Sequence, residues 1–358
     1  MISPTNSVTN SHFFILLKKT PMKFLLLVLL VAPSLVNAAQ CQTVRSPFNV
    51  IDAYMRNCPA ASERSIADIA YYINRSARTD LEKARAVYVW MTDNISYNDA
   101  GYNSGNYGDN SAENVLKTRI AVCAGFADLF TAIAVKTGIE AVTITGYAKG
   151  YSYSEGDSFD DSNHAWNAVK IDGAWKIYDA TWGQGGGSED SRGRMKSTKK
   201  FDEQWFNVDP KHSVFTHLAE IPYENFLPQN ISLTEFERLP DFQPKVFQYG
   251  FLSADELLAQ VKTKKVFNLP EIHAVSPTFQ IVNAPKTRTL KQKARVTFEI
   301  KSSEDLHFHL VNELDEWIPF EKKDNIYVLN FIPYNYGEIH INVETLEGHY
   351  AVLVYEVR

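Results

Sequence analysis

Apolar positions change period from segment to segment along this chain, and the changes mark its elements. Over 62–95, Ile66, Ile69, Ala70 and Ile73 recur at helical spacing; Asp80 then opens a second run in which Ala84, Val87, Tyr88 and Met91 share a face. Both helices read as scaffold. From Ser96 to Asn114 the text turns to Asn, Gly, Tyr and Asp, which predicts a long loop of the kind that borders functional sites. Tyr97 and Tyr102 in it are candidate walls of a cleft. The next helix runs from about Cys123 to Thr137, with Phe126, Phe130, Ile133 and Ala134 inward and Gly138 as its stop. Two strands then flank Asp172-Gly173, a strong hairpin signal. Gly183 to Lys200, with Gly185-Gly186-Gly187 at its start, reads as a flexible excursion, and 201–242, rich in aromatics and proline, as a wrapping over the core. Beyond Pro270, short alternating runs such as Arg295–Ile300, Ile326–Phe331 and Tyr350–Val357 predict a small β-sandwich.

Composition sets limits on this plan. The 358 residues are 45% hydrophobic and 13% aromatic, enough to bury a sizeable core and too apolar for a disordered chain. Formal charge is −6, and an acidic chain with no basic run argues against nucleic acid as a partner. Lys18, Lys19 and Lys23 precede the apolar run Phe24–Ala32, and Val36-Asn37-Ala38 follows it. That order predicts a signal peptide over 1–38, cleaved after Ala38, and hence a secreted or periplasmic protein. Met22 is an alternative initiator to Met1. The apolar run is too short to span a bilayer comfortably, so no membrane span is expected in the mature chain.

Cysteine usage narrows the chemistry. Cys41 and Cys58 are a candidate disulfide in an oxidising compartment, worth roughly 3 kcal/mol in the chain-entropy model. Cys123 is then the odd thiol, and an odd thiol in an exported protein is either buried and inert or reactive. It sits where a helix begins, so free backbone N–H groups and the positive end of the helix dipole favour thiolate there. Gly125 leaves room for a substrate backbone. His164 enters the first hairpin strand. With Asp172-Gly173 as a two-residue turn, Ile171 faces Ala174, Trp166 faces Asp179 and His164 faces Thr181, so His164 and Asp179 emerge on one face as diagonal neighbours. An imidazole and a carboxylate can bridge that diagonal, which gives nucleophile, base and orienter in Cys123, His164 and Asp179. Asn167, the competing orienter, falls on the opposite face. Trp166 and Trp182 are further cleft candidates. Asp160 and Asp161 lack the spacing of a calcium loop, and a solvated strand face explains His307 and His309, so no metal and no cofactor are expected.

Several segments together are specific: Lys83-Ala84-Arg85-Ala86-Val87-Tyr88-Val89-Trp90, Ile95-Ser96-Tyr97, Val122-Cys123-Ala124-Gly125-Phe126-Ala127, His164-Ala165-Trp166-Asn167 and Tyr178-Asp179-Ala180-Thr181-Trp182-Gly183. In this order and spacing the chain resembles the transglutaminase-like superfamily. Trp205-Phe206-Asn207-Val208-Asp209-Pro210, His217-Leu218 and Glu235-Phe236-Glu237-Arg238-Leu239-Pro240 are similar to its kyphoscoliosis peptidase and cytokinesis-protein branch, and the resemblance covers about 55–245. It implies an α+β fold with a papain-like core, in which the cysteine helix packs on an antiparallel sheet. It also implies a Cys123, His164, Asp179 triad that attacks a glutamine amide or a peptide bond and forms a thioester resolved by water or an amine. The calcium sites of the large animal transglutaminases have no counterpart here. The resulting plan is a leader (1–38), an N-terminal helical segment (39–82), a catalytic core (83–183), a family-type extension wrapping it (184–267) and an Ig-like sandwich (268–358). Expected partners are protein or peptide substrates, with cell-wall peptide among them. The rival reading is a non-catalytic protein of the same fold that recognises a protein or wall polymer.

Overall fold

The computed structural model describes residues 46–263 and 265–358. The leader and Cys41 lie outside the described residues, and with them the pairing of Cys41 with Cys58. No described helix is long and apolar enough to cross a membrane.

Three helices build the scaffold: α1 (Asn49–Arg56), α2 (Ile66–Ser76) and α3 (Asp80–Asn94). Thr79 and Glu82 form a capping box that starts α3, which is why the helical pattern of 62–95 breaks in two. A carbon-rich cage fixes α3. The Arg85 side chain is 1% exposed; its Nε and Nη2 each donate to the Asp52 carboxylate at 2.7 Å, its Nη1 donates to Glu203 at 3.2 Å, and its guanidinium stands 4.8 to 5.3 Å from the rings of Phe48, Phe201 and Phe206. One side chain thus ties α1, α3 and the start of the extension together.

The stretch from Ser96 to Asn114 is not a long loop. It holds β1 (Ser96–Tyr97), α4 (Asp99–Ser104) and the start of α5 (Ala112–Thr118), and β1 pairs in parallel with β2 (Ile120–Ala121). The polar residues that read as loop are its caps: the Asn98 side chain accepts from the Gly101 N–H at 2.9 Å, and Gly105 closes α4 at φ 71°. Next comes α6 (Cys123–Thr137), ended by left-handed Gly138 as the sequence predicts.

Helix α6 packs on an antiparallel sheet of β3 (Ala141–Ala148), β4 (His164–Ile171), β5 (Ala174–Tyr178) and β8 (His217–Ala219), in the order β5-β4-β3-β8. The β4–β5 hairpin has the predicted register, Ile171 against Ala174 and Asn167 against Tyr178, with Asp172 and Gly173 both at positive φ. The ladder ends at Asn167–Tyr178, three pairs short of the expectation. Asp179 leaves the strand to become the N-cap of α7 (Ala180–Gln184), so neither Trp166–Asp179 nor His164–Thr181 is a strand pair.

Gly183 to Lys200 is likewise ordered: β6 (Gly185–Glu189) and β7 (Met195–Lys199) form a two-stranded hairpin. From Val214 on, apolar positions of 214–261, carried partly on three short helices (Leu233–Arg238, Pro244–Gln248, Ala254–Lys262), share one continuous cluster with the strands that follow. Those strands form a sandwich. One sheet orders Gln280–Asn283, Val296–Lys301, Ile326–Phe331 and Glu321–Lys323; the other orders Thr289–Leu290, Gly348–Val357, Gly337–Thr345, His307–Val311 and Trp317–Pro319, with Glu271–Ile272 beside Gly348–Val357. The fold is α+β with a β-sandwich at its C-terminal end.

The Arg85 cage yields a stability prediction. Arg85→Met leaves Asp52 buried without its partner and should cost about 3–5 kcal/mol, read as a fall in the urea midpoint; Lys211→Ala, which removes the exposed pair with Asp255, should stay within about 0.5 kcal/mol. Equal midpoints for the two variants would rule out the cage as a structural anchor.

Candidate functional site

Strand period and helix register assemble the site. On β3, Gly146 pairs with His164 of β4 on one side and with Ala219 of β8 on the other, while Ala148 pairs with His217. His164, Trp166 and His217 therefore share one face of the sheet. Gly146 has to be glycine: a Cβ there would lie 2.1 Å from the Leu218 carbonyl oxygen and 2.8 Å from the Trp166 ring. On the opposite face Asn167 donates from Nδ2 to the Ala127 carbonyl at 2.8 Å and to the Thr131 hydroxyl at 2.9 Å. Asn167 is thus no orienter of His164; it moors α6, and so the height at which Cys123 begins that helix.

Asp179 is the hub. Its Oδ1 accepts from the Thr181 and Trp182 N–H groups at 2.8 and 3.0 Å, capping α7. Its Oδ2 is shared by two imidazoles, His164 Nε2 at 2.8 Å and His217 Nε2 at 3.2 Å. The carboxylate is 1% exposed and the His164 side chain 7%. The rings are clamped by indoles: His164 lies between Trp166 and Trp182, at centroid distances of 5.9 and 5.2 Å, and His217 meets Trp182 at 4.4 Å and Trp205 at 5.4 Å.

These contacts set the charges. Burial would raise the Asp179 carboxyl, but His164, and after it His217, hold it well below the usual carboxylate range. Burial works against a charged His164 as well, yet Asp179 and then Cys123 raise it to about 10. For Cys123, burial pushes the thiol up; the His164 hydrogen bond and charge and the Ala165 N–H outweigh it, and the net direction is down. With Nε2 committed to Asp179, Nδ1 is the His164 nitrogen left for the sulfur. His217 is different: burial keeps it below the ordinary imidazole range, so it stays neutral and donates its one N–H to Asp179, while its Nδ1 sits 2.8 Å from the Thr216 hydroxyl. The three ligand-type atoms of His164, Asp179 and His217 lie within 4.8 Å of one another. Their mutual hydrogen bonds already occupy the space between them, and the site reads as a proton-handling group.

A cavity of about 560 Å³ opens onto Cys123 and His164. Tyr97, Tyr102 and Trp182 line it, as does the edge of the β6–β7 hairpin. Gly125 and Trp166 stand outside its walls. A Cβ on Gly125 would meet Ala121, Asn110 and Val115 at 2.8 Å, so the room there is filled by the protein itself, and Trp166 is 2% exposed behind the histidines. Sequence reasoning missed His217 as a partner of Asp179. No hairpin turn fixes the register of a three-residue strand 38 residues away, and the only signal was the His217-Leu218 dipeptide of the resemblance.

Residues 67–180 match the family model described as the transglutaminase-like superfamily, and this stretch, from α2 to the cap of α7, is a transglutaminase-like domain. Among particular proteins, the chain is 28% identical to kyphoscoliosis peptidase of Homo sapiens over 232 residues, covering 64% of this chain and 34% of the relative. Against kyphoscoliosis peptidase of Mus musculus the identity is 30% over 190 residues, 53% of this chain and 28% of the relative. The chain thus spans about a third of the length of the curated relatives it matches. A solved TGase structure aligns over 47% of this chain and 39% of that one at 17% identity and a TM-score of 0.26.

The charge on His164 makes stability depend on pH. A folded value raised to about 10 from an ordinary 6.5 contributes stability that is fully present below about pH 6.5 and lost as the pH climbs to about 10. The urea-midpoint advantage of the wild type over His164→Ala should therefore be larger at pH 6 than at pH 10. An advantage that is flat or grows with pH would show that His164 is neutral in the folded protein.

Proposed function

We propose that the protein is an exported, cysteine-dependent amide hydrolase or acyltransferase acting on protein or peptide substrates. The observation that carries the reading is the shared carboxylate: Asp179 holds His164 at 2.8 Å, and His164 opens onto the same cavity as Cys123, the first residue of α6. In this reading the Cys123 thiolate attacks an amide carbonyl carbon and forms a C–S bond. Val122, the N-cap, lends no side chain to the first turn of α6, so the Cys123 and Ala124 N–H groups are free to receive the oxyanion. The His164 imidazolium gives its proton to the leaving amine, the C–N bond breaks, and a thioester remains. Neutral His164 then takes a proton from water or from an incoming amine, whose attack on the thioester carbonyl frees the thiolate. Asp179 keeps the ring in one tautomer throughout, and the family match over 67–180 and the name of the peptidase relative support acyl chemistry of this kind. The leader predicted over 1–38 supports substrates outside the cytoplasm.

Iodoacetamide labelling of Cys123 as a function of pH tests the reading. Labelling should persist at pH 6, where an ordinary thiol with a value near 8.5 is mostly protonated, and decline only as the pH drops through the lowered value. His164→Ala should reduce the pH 6 rate at least ~10-fold and move the profile upward. A thiol with an ordinary profile that ignores the substitution would leave a binding protein of the same fold as the better description.

A further inference from the structure

The β6–β7 hairpin has two edges, and they differ. Along β7 the outward backbone groups are taken by α4: the Met195 N–H donates to Asn103 Oδ1 at 3.0 Å, Asn103 Nδ2 donates to the Met195 carbonyl at 2.8 Å, and the Ser197 N–H donates to the Asp99 carboxylate at 3.1 Å. Within the ladder, Gly186 faces Thr198 and Ser188 faces Lys196. Because residues 195 and 197 point their N–H groups out toward α4, the even pairs of β6 exchange the ladder bonds, and Gly185, Gly187 and Glu189 point theirs outward. The Gly185 N–H is used by the Trp182 carbonyl. Among the described residues the Gly187 N–H and carbonyl and the Gly185 carbonyl have no hydrogen-bond partner, and Gly186 to Glu189 are exposed.

This bare edge lines the same cavity as Cys123 and His164. Among the described residues, His164 is the only side chain in the cavity wall that can carry a positive charge, and no Asp or Glu is present there. Recognition by charged side chains is thus not what the cavity offers. It offers one main-chain donor and two acceptors at strand spacing, flanked by Tyr151, whose ring lies 3.6 Å from where a Gly187 Cβ would be. We propose that the β6 edge takes the substrate as an extended peptide, whose backbone adds a third strand at Gly185–Gly187 and so lays an uncharged residue beside Cys123. The partner class is an unfolded or strand-forming polypeptide segment, read through its main chain. The placement rests on Cys123 as the reacting atom; the pairing does not depend on its activation.

Bromoacetyl-tetraalanine amide alkylates Cys123 and carries a peptide backbone, whereas bromoacetamide carries none. In the wild type the peptide reagent should react about tenfold faster, equivalent to about 1.4 kcal/mol. The gain should vanish for the same peptide with its amide nitrogens methylated, and in Gly187→Pro, which removes the outward N–H. Each ratio is taken within one protein, so altered thiol reactivity cancels, and the methylated reagent makes its test on the unmodified fold. No gain, or a gain that survives both changes, overturns the pairing. An ordinary pH profile with bromoacetamide alone would instead remove the nucleophile reading and leave the ratio interpretable.

Discussion

A buried carboxylate is costly unless every lone pair is answered, and Asp179 is answered four times: two backbone N–H groups on Oδ1 and two imidazoles on Oδ2. Much of the surrounding structure can be derived from that requirement. The hairpin must end at Tyr178 so that Asp179 can turn into a helix cap; β8 must reach the sheet so that His217 can arrive; Gly146 must lack a side chain so that both histidine-bearing strands can flank it. The two histidines do different work on one oxygen. A neutral His217 donates and stays, which secures the anion; a charged His164 is then held by that anion and turns its other nitrogen to Cys123.

How much of this was legible in the sequence depends on whether a local rule fixed the register. Asp172-Gly173 forces a two-residue turn, and counting outward from it put His164 and Asp179 on one side and Asn167 on the other. The helix from Cys123 to Gly138 followed from its period and its left-handed stop. Where local rules were silent, the reading failed in physical ways. Asn98 and Gly105 look like loop residues because caps and loops draw on the same side chains, so α4 was hidden. Three glycines carry no hydrophobic alternation, so β6 was hidden too, although its partner β7 is tethered by Asn103 and Asp99. His217 was hidden by distance along the chain.

The extension divides its loyalties. Trp205 and Phe206 belong with the helices and the sheet of the transglutaminase-like domain, whereas Val214 to Val261 share their apolar cluster with the sandwich. Strand β8 lies at that seam. Leu218 of β8 packs in the cluster shared with the sandwich while β8 itself pairs with β3, so the strand that carries His217 is held from both sides.

The exposed edge of β6 is the counterpart of that two-sided hold. Unpaired strand edges invite pairing with other chains, and folded proteins cover, charge or shorten them. Here the β7 edge is covered by α4, and the β6 edge is left bare over glycines that add neither charge nor bulk. The bare edge is not placed at random on the surface: it borders the cavity that opens onto Cys123 and His164. A liability retained at the cavity onto which His164 and the lowered Cys123 thiol open is best accounted for by a chain that visits the edge and leaves again.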